Sequence, residues 1–224
     1  MQVSLHAAVL EDRQTLEMVL AKAPDVDVED AEGRTALCIA CQHGKLEAVQ
    51  VLSSYGARRR HIGCGMFAEE AAASADVLSW LIQSRFWMSP LHHVDVISPE
   101  RTQLLLRAGA KLHARMKYYS PARAPTPLDL AAQSTSEAAA LIREAGEPWS
   151  PRSHRLWPAP TRAHAASLVQ IGHELWRRHM GEHPCGAFLD AWLSHVMPLA
   201  LDRDEKLRAR PRFRRRVSKE HRCS

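Results

Sequence analysis

The sequence predicts an all-α protein, with stacked helix–turn–helix units over residues 1–147 and a shorter helical appendage after them. Three observations predict it. A short pattern, small-x-Leu-polar-x-small, occurs four times, each time followed by an amphipathic stretch and usually by a Gly-Ala turn. The leucines that anchor the pattern are spaced at about the length of one helix pair. Prolines and glycines fall at the ends of the helical stretches rather than inside them.

The first unit reads SLHAAV at 4–9, followed by LEMVLAKAPDVD. The second is GRTALCIACQHGKLEAVQVLSSYGA at 33–57. SPLHHV at 89–94 leads into QLLLRAGA at 103–110, and TPLDLAA at 126–132 leads into ALIREAG at 140–146. The anchoring leucines are Leu5, Leu37, Leu91 and Leu128, so the first gap is 32 residues, the middle one 54 and the last 37. The long middle gap calls for one more unit. MFAEEAAASADVLSWLIQSRF at 66–86 fits that place, keeping helical residues but lacking both the entry and the exit signals. Thr35 and Thr126 are placed to cap a helix through the hydroxyl. Pro90 and Pro127 fit a first helical turn, where the missing N–H is not needed. Gly44, Gly56 and Gly109 follow helical stretches, where a left-handed residue is wanted.

These units resemble the ankyrin repeat, whose T-P-L-H-x-A signature recurs about every 33 residues. In the second unit Asp30 and Gly33 match the hairpin, Thr35, Leu37 and Ala40 the first helix, and Val49 and Leu52 the second. Ala36, Cys38 and Ser53 depart from the usual Pro, His and Leu. The resemblance implies a solenoid of four to five repeats, at about 1–29, 30–61, 62–87, 88–115 and 124–147. It also implies protein recognition on a concave face made of hairpin tips and first helices. Carried over by position, that face holds Ala31, Glu32 and Arg34, then Gln42 and His43 at a helix end. It continues with Arg58, Arg59, Arg60 and His61, and ends with Lys111, His113, Arg115, Lys117, Tyr118 and Tyr119. Basic and aromatic residues together suit an acidic protein partner. Nucleic acid ranks below it, and the expected state is a monomer.

Cys38 and Cys41 raise the question of redox or metal chemistry. Both fall on the short first helix of the second unit, where a free cysteine serves as a small buried hydrophobe. No second C-x-x-C completes a zinc site. His173, His179, His183 and Cys185 do not have the spacing of one either. No metal or cofactor is expected. The phosphate loop, the dinucleotide turn, H-E-x-x-H and the nucleophile elbow are all missing, so the chain is read as non-catalytic.

EPWSPRSHRLWPAPT ends the repeat pattern, and 148–161 is read as a Pro/Trp linker with Trp149 and Trp157 anchored on the last repeat. Two helices are expected over 162–201, with Leu168, Ile171, Leu175 and Trp176 on one stripe and Phe188, Trp192, Leu193 and Val196 on the other. Two readings of this pair stay open. It seals the end of the solenoid, or it recruits other machinery, since it is faintly similar to the SOCS-box and F-box modules of ubiquitin-ligase adaptors without their L-P-x-x-L core. Residues 202–224 carry most of the net charge of +5, with ten Lys or Arg against three Asp or Glu between Arg203 and Arg222. Such a block is expected to be a solvated, disordered end, with nuclear targeting and nucleic-acid contact as alternatives. Five cysteines, an odd count, and an opening MQVSLHAAVLED without an apolar core point to a reducing, cytoplasmic or nuclear setting. No stretch is apolar enough to span a membrane.

Overall fold

The computed structural model describes residues 4–22, 25–60, 65–115, 124–179 and 185–201. The elements are α1 (Leu5–Ala8), α2 (Arg13–Leu20), α3 (Ala36–Gln42), α4 (Leu46–Ser54), α5 (Ala75–Gln83), α6 (Pro99–Arg107), α7 (Pro127–Gln133) and α8 (Glu137–Gly146). They continue with α9 (Ala159–His179), α10 (Cys185–Ala191) and α11 (Met197–Ala200), the last two joined by one π-helical turn. Short 3-10 turns lie at Pro90–His92 and Ser153–Leu156. Among the described residues there is no strand, only isolated antiparallel bridges between Glu29 and Thr35 and between Arg60 and Phe67.

Helix starts are set by side-chain caps. Ser4, Asp12, Thr35, Ser74, Ser98 and Ser136 each accept a hydrogen bond from a backbone N–H in the first turn. Thr126 and Asp129 form a reciprocal capping box. Helix ends are set by glycine. At Gly44, φ is +63°, its N–H donates to the Cys41 carbonyl, and the Lys45 N–H reaches back to Ala40. Gly56, with φ +91°, closes α4 in the same double-bonded way on Ser53 and Leu52.

The third unit differs from the expectation. Residues 65–74 form a run of turns in place of a first helix, and only α5 remains. Hydrogen bonds outside the segment explain this. Ala68 donates to the Arg59 carbonyl, and Ala73 donates to the Cys41 carbonyl at the end of α3, which also accepts from Gly44, and this ties down a segment whose alanines and glutamates favour helix. In the fourth unit the first helix is reduced to the single turn at Pro90–His92.

The core is divided. One cluster gathers α1 to α5 around Leu16, Leu37, Cys38, Cys41, Leu52 and Leu81, with Val96 joining from the far side. A second holds the last two units around Leu91, Leu106, Leu112 and Ile142. The linker tryptophans go to a third. Trp149 and Trp157 pack with Ala165, Met197 and Leu201 rather than with the last repeat, while their neighbour Leu156 belongs to the second cluster. The Pro-rich turn thus sends adjacent side chains to opposite sides. Trp192 Nε1 donates to the Leu168 carbonyl at 3.1 Å, and its ring lies against Gly172. No helix among the described residues is long and apolar enough to cross a membrane.

Candidate partner-binding site

The seam between the first two clusters is filled by aromatic and polar side chains. Trp80 of α5 stands edge-on to Trp87, with ring centroids 6.0 Å apart. Trp87 stacks on His92 at 6.3 Å and meets His93 edge-on at 5.0 Å. The guanidinium of Arg101 sits 3.3 Å from the centroid of Tyr55 and donates to the hydroxyl and carbonyl of Ser54, which bolts α6 to α4. Arg59 lies over Trp80 at 4.9 Å and donates to Ser84 Oγ at 2.9 Å.

This seam changes the acid–base character of its members. His93 is 3% exposed. Burial, then the positive charges of Arg59, His92 and Arg101, push its pKa from the usual 6.5 to about 3, so it is neutral. Burial likewise lowers His92, whose Nδ1 takes part in the cap at Ser89. Arg59 falls to about 10 through burial and stays charged at neutral pH.

A cleft of about 680 Å³ opens beside the seam, and its lining includes Asp27, Glu29, Trp87 and Met88. Arg58, Arg59 and Arg60 line it, as do Arg85, Ser53 and His93. Its volume lies in the range of ligand pockets.

Residues 5–85 match the family model for ankyrin repeats, in three copies. Residues 5–85 of the chain carry ankyrin repeats. Over 55 residues it is 46% identical to NF-kappa-B inhibitor alpha of Gallus gallus, which is 24% of this chain and 17% of that protein. The match therefore spans less than a fifth of that relative's length. Ankyrin repeats are protein–protein interaction modules, and the array here is an all-α solenoid.

The hairpin tips hold the sequence-derived residues in different states. Arg58, Arg59 and Arg60 come together in the cleft. Arg34 is held by Asp30 at 2.8 Å and by Glu32 at 3.0 Å, so that tip is internally neutralised. Asp30, accepting from the Arg34 side chain and the local backbone, has its carboxyl lowered to about 2. Gln42 and His43 are exposed at the far end of α3, beside Gly44 and away from the cleft lining. Lys111 and His113 are exposed on the tip before the last repeat, and Arg115 pairs with Asp129 at 3.6 Å. His61, Lys117, Tyr118 and Tyr119 lie outside the described residues, as does the basic tail.

Ser53, Arg85, Trp87, Met88 and His93 were not legible as site residues. Ser53 alone carried a signal, as a polar residue where the repeat has leucine. Cys38 and Cys41 are fully buried, and burial next to Cys38 raises the Cys41 thiol to about 12, which removes its nucleophilic form. Among the described residues no group of three or more His, Cys, Asp or Glu is placed to hold a metal ion.

Proposed function

We propose that the protein is a non-catalytic recognition scaffold whose hairpin tips, centred on the cleft beside Arg58–Arg60, bind a protein partner. The observation that carries this reading is the convergence of three tips of the array on one open cleft, with an exposed methionine and basic side chains at its edge. Aromatic, Met and Arg surfaces that stay open to solvent are the usual anchors of interfaces. Repeat arrays recognise partners through such continuous surfaces. NF-kappa-B inhibitor alpha is by name an inhibitor acting on another protein, and the shared repeats support the same kind of role here.

The test is amide hydrogen exchange on the full chain, with and without a protein captured from lysate. Protection at 27–34, 57–60 and 85–90 is expected. Protection confined to the second helices α2, α4, α6 and α8 would overturn the reading.

A second reading, an adaptor role, rests on the C-terminal helices. Their buried contacts are chiefly to one another and to the linker tryptophans, and Ile171, Leu175 and Leu199 stay exposed at 45%, 38% and 86%. A plain cap would spend those side chains on the last repeat. Ile171→Glu with Leu175→Glu should then remove ligase components from the captured material and leave the tip partner in place.

A further inference from the structure

Four arginines, Arg58, Arg59, Arg60 and Arg85, line the cleft against two carboxylates, Asp27 and Glu29. Asp27 is already used, since it accepts from the Arg58 N–H at 2.9 Å and faces the Arg58 guanidinium at 3.4 Å. Arg60 and Arg85 form no ion pair among the described residues, and Arg85 rests on the ring of Phe86 at 4.6 Å. Arg59 is partly buried, its direct contacts are neutral (Ser84 Oγ, the Leu81 carbonyl and the face of Trp80), and Glu69 acts on it through space without forming an ion pair among the described residues. A guanidinium withdrawn from water without a directly bonded anion is held at a cost, and an incoming anion that bonds it relieves that cost. Between these cations the wall is apolar. Met88 is 59% exposed, and Trp87 and Pro90 lie beside it. Ser53 Oγ and His93 Nδ1 line the same cleft, are buried, and have no hydrogen-bond partner among the described residues.

Trp87 has one face against His92 and an edge against His93, so it is not an open stacking platform for bases. An aliphatic or aromatic side chain flanked by carboxylates matches both the wall and the rim. We propose that the cleft takes an acidic segment of the protein partner, with carboxylates on Arg59, Arg60 and Arg85 and an apolar side chain seated on Trp87 and Met88. This rests on the recognition reading above and adds the chemistry of the contact.

The test uses the full chain and three fluorescein-labelled probes: a glutamate–tyrosine copolymer, polyglutamate and a 20-mer of oligothymidylate. Fluorescence anisotropy at fixed ionic strength reads the affinities. Arg60→Glu with Arg85→Glu removes the rim charge, and Arg60→Gln with Arg85→Gln serves if the reversal disturbs folding. Arg214→Glu with Arg215→Glu makes the same change of charge in the tail and controls for non-specific attraction. The copolymer is expected to bind more tightly than polyglutamate. It should lose about tenfold in affinity on the rim change and less than about twofold on the tail change. Met88→Ser should lower copolymer binding about threefold and leave polyglutamate unaffected. Equal losses from rim and tail changes, or oligothymidylate binding that matches the copolymer and falls with the same rim residues, would overturn the proposal. If the tips are protected by the captured partner while the copolymer ignores the rim residues, the recognition reading stands and only the acidic chemistry fails.

Discussion

Removing the imidazole of His93 should flatten the acid side of the stability profile. The folded chain holds this side chain at 3% exposure, with a pKa of about 3 against 6.5 for a free imidazole. As pH falls below 6.5, the unfolded chain takes up a proton that the folded chain refuses. Stability is therefore complete above about pH 6.5 and is lost progressively down to about pH 3. Each pH unit in that window costs about 1.4 kcal/mol, so at pH 5 the loss is about 2 kcal/mol. The groups that face it act in the same direction or not at all. His92 is also lowered by burial and adds to the loss, whereas Arg59 and Arg101 stay charged throughout the window. Asp30, lowered from 3.8 to about 2, adds its own loss only below about pH 4, under the pH 5 comparison. Urea unfolding followed by circular dichroism at pH 7 and pH 5 measures the difference. His93→Gln should reduce the loss between the two pH values by about 2 kcal/mol relative to the unaltered chain. The same pH dependence in both proteins would refute the argument that His93 is buried neutral at the seam.

Arg101→Ala removes the Tyr55 contact and both bonds to Ser54, and should cost about 2–3 kcal/mol in urea unfolding, with the transition broadened as the two repeat clusters separate. Gly172→Ala would place a methyl 2.9 Å from Trp192 Nε1, and should loosen the C-terminal helices by about 1–3 kcal/mol. Hydrogen exchange should show faster exchange in α9 and α10 with the repeats unchanged. Cys38 and Cys41 should stay unmodified by iodoacetamide at pH 8 in the folded chain and react fully in urea, as read by mass spectrometry. Labelling of either one at the rate of a free thiol would show that the packing account is wrong.

The parts of the fold that were legible in the sequence are the parts that obey local rules. Thr35 and Thr126 cap helices because a hydroxyl at that position finds an N–H two or three residues on, whatever surrounds it. Gly44, Gly56 and Gly109 take positive φ because the closing turn requires it. The turn run at 65–74 was not legible, since its alanines and glutamates vote for helix and lose to hydrogen bonds with Arg59 and with Cys41 of the second unit, outside the segment. The candidate site divides in the same way. The three arginines at 58–60 stand out in the sequence as one tip. That Arg85, Trp87 and His93 face them depends on how the third and fourth units dock on the second, which no local pattern encodes.

The decay of the array and the presence of the cleft have one physical origin. A complete third repeat would set a first helix between α3 and the fourth unit, and small residues at the seam would let neighbouring units close up. Here the first helix is missing from the third unit and cut to one turn in the fourth. At the seam stand Trp80, Trp87, His92, His93 and two arginines, and His92 Nε2 and His93 Nδ1 find no hydrogen-bond partner among the described residues. Ser53, standing where the repeat has leucine, adds a buried hydroxyl to the same wall. Places where a sequence breaks its own local rules without internal compensation are where function is expected. A partner that supplied anions and hydrogen bonds here would stabilise the seam as it bound, so partner affinity and the coupling between the two repeat clusters should rise and fall together.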